Sequence, residues 1–579
     1  MHAGLAGWYR WTGVAFLVVL SMLAAACGSN AAPIAEGADV DRATAPSMST
    51  VRLDDVAADV GLEFRHGAFR FGTDPDPAAM MGGGLCWIDY DRDGWLDLFA
   101  TNTWSNGQWG EWRRQGDLPR SQLFRNDVGQ FVDVTDETAT GLETRANGCV
   151  AADLDLDGWT DLYVTTDRDN VLLWNDDGDG FVADADASGV DEFGWHSGAA
   201  VGDVDGNGWP DLFVAGYADV NRPVTGTSKG FPNTFEPEPD LLFLNDGPGD
   251  DGSAGDARVV FREVAVDVGI EPDGPDYGLG VVLSDLDLDG DLDVYVANDT
   301  TPNDLYENLG VPGGGDLRFE ERGVDAGVGD DGAGMGVASG DGSGDGRSDL
   351  VVTNQLEERH GAWWNATEGS GLSFDDARPS MGQLELGLGS TGWGTIWTDV
   401  DLDTDLDLFF VHGAIPVRDL DADREQPVLL ENRAADGDPE AFDDASATVG
   451  LADAGPYLAR GAAGADYDND GDVDLAVGTI GGDLVLLRNT GAGGNWLEVA
   501  TPTPAPGAQV TVELGDGTEL RREIMAGSSY LSSEDPRAHF GLGASDDDVS
   551  VRVVWHDGSV TERSGVEVNQ IVRLEREGS

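Results

Sequence analysis

The sequence predicts an all-β protein, a seven-bladed β-propeller followed by a small C-terminal β domain. Three observations carry this. A nine-residue acidic segment, D-x-D-x-D-G-x-x-D in its fullest form, recurs seven times, starting at Asp89, Asp153, Asp203, Asp285, Asp341, Asp399 and Asp466. Each segment runs into a short apolar stretch of strand character: LDLFA, TDLYV, PDLFV, LDVYV, SDLVV, LDLFF and VDLAV. By subtraction the starts lie 64, 50, 82, 56, 58 and 67 residues apart. That period fits about four short strands per unit, the content of a propeller blade.

The repeat has a second half. After most of these strands comes an apolar pair, an asparagine and a turn, as in LFRNDVGQF from Leu123, LLWNDDGDGF from Leu172, LFLNDG from Leu242 and LYENLG from Leu305. A run led by phenylalanine follows, from Phe131, Phe261, Phe319 and Phe442. Short strands punctuated by Asn, Asp and Gly turns read as all-β. The opening piece, from Val51 to Phe64, looks like such a run detached from its loop, while the last loop lacks one. The first segment is therefore expected to complete the last blade of a ring spanning 51–490, which removes the open sheet edges. The widest interval contains Asn221–Ala257, dense in Pro, Gly and Asp, and reads as an excursion on one face or as disorder.

Within each acidic segment, oxygen side chains sit at positions 1, 3, 5 and 9. Hard cations such as calcium take six to eight oxygen ligands at about 2.3–2.6 Å. A tight loop with carboxylates at alternate positions can wrap them round one point, and the glycine at position 6 permits the sharp turn. The candidate ligands are Asp89, Asp91, Asp93 and Asp97; Asp153, Asp155, Asp157 and Asp161; Asp203, Asp205, Asn207 and Asp211; and Asp285, Asp287, Asp289 and Asp293. They continue with Asp341, Ser343, Asp345 and Asp349; Asp399, Asp401, Asp403 and Asp407; and Asp466, Asp468, Asp470 and Asp474. Up to seven structural Ca²⁺ sites are expected. Ser343 is a weaker neutral ligand and Thr404 stands where the other loops have glycine, so loops five and six are ranked weakest. Position 12, acidic in an EF-hand, is here Ala100, Val164, Val214, Val296, Val352, Phe410 and Val477, which excludes that reading. A metal-free turn held by Asp side chains is the plainer alternative.

The 579 residues carry 109 acidic and 33 basic side chains, a formal net charge of −76, with Lys229 the only lysine. Such a chain lacks the cationic footprint of a nucleic-acid binder. Seven divalent ions would cancel only about 14 of these charges, so adaptation to a saline habitat is a further reading of the excess.

The N-terminal 27 residues read as a targeting segment. Arg10 precedes an apolar run from Val14 to Ala26, too short to span a bilayer and suited to a signal peptide. It ends in Leu23-Ala24-Ala25-Ala26-Cys27, which resembles a bacterial lipobox. That resemblance implies lipidation at Cys27, a membrane anchor, and a flexible tether over 28–50; ordinary secretion is the alternative. Either places the protein outside the cytoplasm, as a cell-envelope lipoprotein or a secreted protein. Cys86 and Cys149 precede loops one and two by three and four residues. The one-residue offset predicts opposite strand faces. The compartment permits a disulfide, but the geometry required argues against one.

From Asn495 the texture changes to alternating hairpins, with turns at Gly515-Asp516-Gly517 and Asp557-Gly558-Ser559, and a separate β domain over 495–579 is expected. Its motifs, NWLEV, GAQVTV, GSSYLSS, HFGLG and VRVVWHDGSV, are similar to the ASPIC/UnbV domain. The acidic loops with their Asn-turn-Phe element resemble FG-GAP/VCBS repeats, and the stretches at Ala297, Gly334 and Gly392 resemble repeats of cartilage acidic protein relatives. The resemblance implies a seven-bladed propeller with calcium in the blade loops and extracellular binding or adhesion as its role.

Catalytic signals are sparse. His66, His196, His360, His412, His539 and His556 are scattered, and no nucleophile–base, phosphate-cradling or zinc spacing stands out. His196 and His412 flank loops three and six and are candidates for the central channel, with packing the simpler reading. Trp104, Trp109 and Trp112 suggest an aromatic surface, Trp363 and Trp364 core packing. The expected partner is an extracellular protein or glycan; a calcium-dependent enzyme acting on polysaccharide across the propeller face is the alternative.

Overall fold

The computed structural model describes residues 47–248, 259–272, 274–310, 317–369, 371–435, 442–502 and 505–576. The targeting segment, Cys27 and most of the tether lie outside the described residues. The fold begins slightly before Val51. Met48 is 2% exposed, and Thr50 Oγ1 donates to the Gly491 carbonyl at 2.7 Å.

Among the described residues, seven four-stranded antiparallel sheets follow one another along the chain. The first consists of Leu85–Ile88, Asp97–Ala100, Gln122–Asn126 and Phe131–Asp133, paired in that order. The acidic loop joins its first two strands, the Asn turn its last two. The next five repeat this plan. The seventh takes three strands from Ala459–Thr490 and its fourth from Arg52–Asp55, with Arg52 opposite Thr490 and Leu53 opposite Asn489. The first strands touch in succession: Leu85–Ile88, Ala146–Ala152, His196–Gly202, Gly278–Ser284, Val337–Gly340, Gly392–Thr398 and Ala459–Ala465, the last meeting Leu85–Ile88 again.

This arrangement explains why the second strands are apolar throughout instead of alternating with polar residues. Successive side chains leave a strand on opposite faces, and here both faces are covered. Leu98 packs with residues of the seventh sheet, while Phe99 packs with residues of the second.

The same alternation corrects the expectation for the cysteines. Cys86 and Cys149 form a disulfide, with Cα atoms 6.1 Å apart. They do lie on opposite faces of their own sheets. Neighbouring sheets, however, confront each other through opposite faces, so the offset that argued against pairing is what brings the two thiols together in one core.

The C-terminal region forms a three-stranded sheet (Ala538–Gly541, Trp496–Ala500, Gln570–Arg573) and a four-stranded sheet (Glu519–Glu523, Gln509–Glu513, Val549–Val554, Val560–Val566) around a core of its own. It is not merely appended. The segment from Ala526 to Ser533 runs along the inner strands of the seven-sheet circuit. Ser529 and Val337 exchange backbone hydrogen bonds at 2.7 and 2.9 Å, Val201 N donates to Ala526 O, Cys149 N to Leu531 O, and Ser533 N to Leu85 O. At its tip Tyr530 is fully buried, its ring 4.9 Å from that of Trp393 and its hydroxyl donating to Met81 O at 2.9 Å. From the other side comes the short helix Pro77–Met81, whose Met80 carbonyl accepts from Arg460 Nε at 2.6 Å. The Arg460 guanidinium lies 3.8 Å from the centre of the Trp393 ring. The axis of the circuit is thus packed, not open.

The excursion expected at 221–257 is folded in its described part. Ala218–Pro223 pairs with Phe235–Pro237, and Phe231 and Phe235 pack on an aromatic cluster with Trp195 and Tyr217. Trp363 is a core residue and Trp364 stacks near Trp397 and Phe442. Of the supposed aromatic surface only Trp109 is well exposed, at 51%; Trp104 is buried, and Trp112 packs on Phe71.

Candidate metal centres

The loops share one backbone scheme. In six of the loops position 1 accepts from the N–H groups of positions 5 and 6, as Asp89 does from Asp93 and Gly94 at 3.1 and 3.2 Å and Asp466 from Asp470 and Gly471 at 3.0 and 2.8 Å; in loop four Asp289 N turns to Asp287 Oδ1 instead. Position 5 turns an oxygen back to position 7, as Asp157 Oδ1 does to Trp159 N at 2.8 Å and Asn207 Oδ1 to Trp209 N at 2.7 Å. Position 9 is the first residue of the next strand and is buried in every loop. Its Oδ1 accepts from the N–H of the repeat's asparagine: Asn126 to Asp97, Asn308 to Asp293 and Asn432 to Asp407, each at 2.8 Å.

Two turn positions demand a left-handed backbone. Position 6 does so in every loop, at φ values from 88° to 99°. Thr404 follows suit at 98°, so loop six keeps the turn that its missing glycine put in question. Position 4 is also left-handed throughout, at Arg92, Leu156, Gly206, Leu288, Gly344, Leu402 and Asn469. Of the residue types at position 4 only Gly206, Gly344 and Asn469 hint at this. A β-branched residue at positive φ costs of order 1–3 kcal/mol. Thr404→Gly is accordingly expected to raise stability by about 1 kcal/mol, read from urea denaturation in calcium.

Carboxylate oxygens converge to within 4.8 Å of one another in Asp89/Asp91/Asp97, Asp153/Asp155/Asp161, Asp203/Asp205/Asp211, Asp285/Asp287/Asp289 and Asp399/Asp401/Asp407. Loop six, ranked among the weakest from sequence, thus brings its acids together like the others, and all three of them are buried. Asp93, Asp157, Asn207 and Asp403 serve position 7 instead. In the other loops the N–H of position 2 donates to position 9, as Tyr90 N does to Asp97 Oδ2 at 3.0 Å; in loop five Ser343 N, at position 3, donates to Asp349 Oδ2 at 2.8 Å instead. Loop seven carries a built-in cation. Arg488 Nη2 lies 2.6 Å from Asp468 Oδ2 and 3.4 Å from Asp470 Oδ2.

Burial, reinforced by neighbouring carboxylates, pushes Asp89 and Asp153 up to about 7. Burial lifts Asp285 to about 6, and burial with the adjoining Asp399 lifts Asp403 to about 10. Asp91 Oδ1, Asp285 Oδ1 and Asp468 Oδ1 are buried without a hydrogen-bond donor. Several hard oxygens crowded together, some with no donor, fit a hard divalent cation.

The repeat's asparagine, visible in the sequence only as a turn residue, binds adjacent loops together. Its Nδ2 donates to position 2 of the loop before and, in six of the repeats, to position 8 of its own loop. Asn175 reaches Thr160 O and Tyr90 O at 3.0 and 2.9 Å, Asn308 Leu292 O and Val204 O at 3.1 and 2.8 Å, and Asn432 Leu406 O and Gly342 O at 3.0 and 2.9 Å. Asn126 closes the series, donating to Tyr467 O of loop seven at 2.8 Å.

Residues 89–164 and 153–214 match the FG-GAP-like repeat, and residues 498–579 match the family described as ASPIC and UnbV. The chain carries FG-GAP-like repeats and an ASPIC/UnbV domain. It is 30% identical to cartilage acidic protein 1 of Homo sapiens over 351 residues, covering 58% of this chain and 49% of that protein. Against the Mus musculus protein the identity is 30% over 349 residues, covering 58% and 50%. The FG-GAP-repeat chain therefore spans about half the length of the curated relatives it matches. A solved structure of an Agrocybe aegerita lectin that recognises non-reducing terminal N-acetylglucosamine aligns at a TM-score of 0.36 and 16% identity, over 63% of this chain and 80% of that one.

The histidines are packed rather than poised. Asn354 N donates to His360 Nδ1 at 3.0 Å, and His412 Nδ1 faces the Gln426 carbonyl at 2.7 Å. The two Nε2 atoms lie 3.5 Å apart, so one neutral tautomer of each ring satisfies the pair. His196 Nδ1 meets Asn170 Nδ2 at 2.9 Å.

Proposed function

We propose that the protein is an exported seven-bladed β-propeller, tethered through a lipid at Cys27, that holds Ca²⁺ in its loops and acts as a binding or adhesion module for an extracellular protein or glycan. The observation that carries this reading is the packed axis. Tyr530 and the Pro77–Met81 helix fill the place where a propeller enzyme would keep its acid and base groups, which leaves outer surfaces for recognition. The calcium ligands would be Asp89, Asp91 and Asp97 in loop one and their counterparts in the others, with the cation supplying the charge that the clustered carboxylates lack. Among the described residues no helix is long and apolar enough to cross a membrane. Panning the mature chain on a glycan array and against surface-protein extracts, in calcium and in chelator, tests the reading. Saturable, calcium-dependent capture of one ligand class is expected; turnover of a polysaccharide with no stable binding would favour the enzyme.

A pH dependence follows from the raised carboxylates. Each binds its proton more tightly folded than unfolded, where aspartate titrates near 3.8. The metal-free fold is therefore favoured in acid, and this contribution is lost as pH rises from about 4 through about 7. Bound calcium reverses the sense, since protons compete with it. The gap in melting temperature between calcium-loaded and calcium-stripped protein should be widest near pH 8 and close towards pH 5, as read by calorimetry. A gap independent of pH would count against metal at these carboxylates.

A further inference from the structure

A cavity of about 130 Å³ lies between loops five and six and the four-stranded sheet of the C-terminal region. A single water needs only about 10–15 Å³ of such space, so there is room for a ligand of several atoms. Three of the side chains lining it present buried donors with no acceptor. Arg522 packs its guanidinium 5.4 Å from the centre of the Phe540 ring and gives Nη1 to the Arg521 carbonyl at 2.9 Å. Its Nε and Nη2, both shielded from solvent, have no hydrogen-bond partner. Those two atoms form the edge of a guanidinium that takes an oxyanion through two parallel hydrogen bonds. Trp397 Nε1 is likewise unpartnered, on a side chain only 8% exposed. So is Gln509 Nε2, on a residue also 8% exposed, whose Oε1 is already taken by Arg521 Nε at 3.0 Å.

The acids lining the same cavity are already served. Asp341 accepts from Asp345 N and Gly346 N, Asp399 from Asp403 N and Thr404 N, Glu523 from Ser284 Oγ and Asp285 N, and Glu534 from Ser528 Oγ. Asp535 is paired with Arg537 at 2.6 Å. Asp399, Asp341 and Asp405 act on Arg522 through their charge, yet no acceptor in the cavity is hydrogen-bonded to Arg522 Nε and Nη2, Trp397 Nε1 or Gln509 Nε2. Buried donors left unmade are costly, and a cation would not relieve them.

We propose that this cavity is a binding site for a small oxyanion, a sulfate or carboxylate group, held by the free edge of Arg522 with Trp397 Nε1 and Gln509 Nε2. The inference goes beyond the calcium reading and does not depend on it, although calcium in loops five and six would offset the charges of Asp341 and Asp399. The test is isothermal titration of sodium sulfate, and separately of sodium acetate, into the full mature chain, against sodium chloride at matched ionic strength. One saturable site is expected for sulfate or acetate, and whichever binds more tightly identifies the group. Arg522→Gln should weaken it at least tenfold and Trp397→Phe, which removes one N–H and keeps an aromatic ring, several-fold. If Arg522→Gln fails to fold, Trp397→Phe and Gln509→Glu decide the matter. Binding no better than chloride, or binding undiminished in the variants, overturns the proposal. Calcium uptake measured on the same samples separates the two readings: sulfate bound without calcium removes the loop reading alone, and calcium bound without sulfate or acetate removes this one alone.

Discussion

Stripping calcium from the mature protein should lower its melting temperature by about 4–12 °C. Extracellular calcium modules bind at about 10⁻⁴–10⁻³ M. At about 2 mM free calcium, a site of that affinity stabilises the folded state by about 0.6–1.8 kcal/mol. Seven such loops together contribute about 4–13 kcal/mol. Unfolding entropy of about 2.1 cal/mol/K per residue converts this to the quoted shift for one cooperative transition. Differential scanning calorimetry of dialysed and reloaded samples measures it. Asp401→Asn should remove about one loop's share and leave the rest, because loop six gathers three buried acids in one cluster. The same substitution at Asp468 should cost less in calcium dependence, since Arg488 already supplies a positive charge there. An unchanged transition in chelator would remove the structural role of the metal.

The second large effect concerns the axis. Tyr530→Ala deletes a fully buried ring that packs on Trp393 and ties Met81 through its hydroxyl. Emptying such a site costs about 3–5 kcal/mol. Tyr530→Phe keeps the ring and loses only the hydrogen bond, at about 0.5–1.5 kcal/mol. Urea denaturation followed by tryptophan fluorescence reads both, with Trp393 an immediate neighbour of the lesion. Equal, small effects from the two variants would show that the hairpin tip contributes little to holding the centre.

Both effects rest on features of unequal legibility. The acidic loops were readable because their chemistry demands side chains at fixed offsets, and Asp97 or Asp474 could be assigned to a strand start from the apolar run that follows. The left-handed backbone at position 4 was not, because Arg92, Leu156 and Leu402 carry no signature of it; only Gly206, Gly344 and Asn469 hint at one. The disulfide was misread through reasoning about one sheet at a time. Opposite faces of Cys86 and Cys149 forbid pairing within a sheet and favour it between neighbours. The asparagine's double reach, from Asn308 to Leu292 and Val204, joins residues 16 and 104 positions away, and no local pattern encodes the second partner. The burial of GSSYLSS along the axis was hidden for a similar reason. Its small, polar residues carry no apolar pattern, and they suit a narrow core only because Ser529, Ser532 and their backbone find partners on inner strands.

The pairing of Leu53 with Asn489 places the first and last strands of the circuit in one sheet. A chain emerging from the ribosome or a translocation pore cannot finish that sheet until nearly all of it has been delivered. Six units can form as they arrive, but the seventh waits with an unsatisfied flank, and the hairpin that fills the middle arrives later still. Completion is thus postponed to the end of synthesis, and a truncated product would present a bare strand edge that marks it for aggregation or disposal.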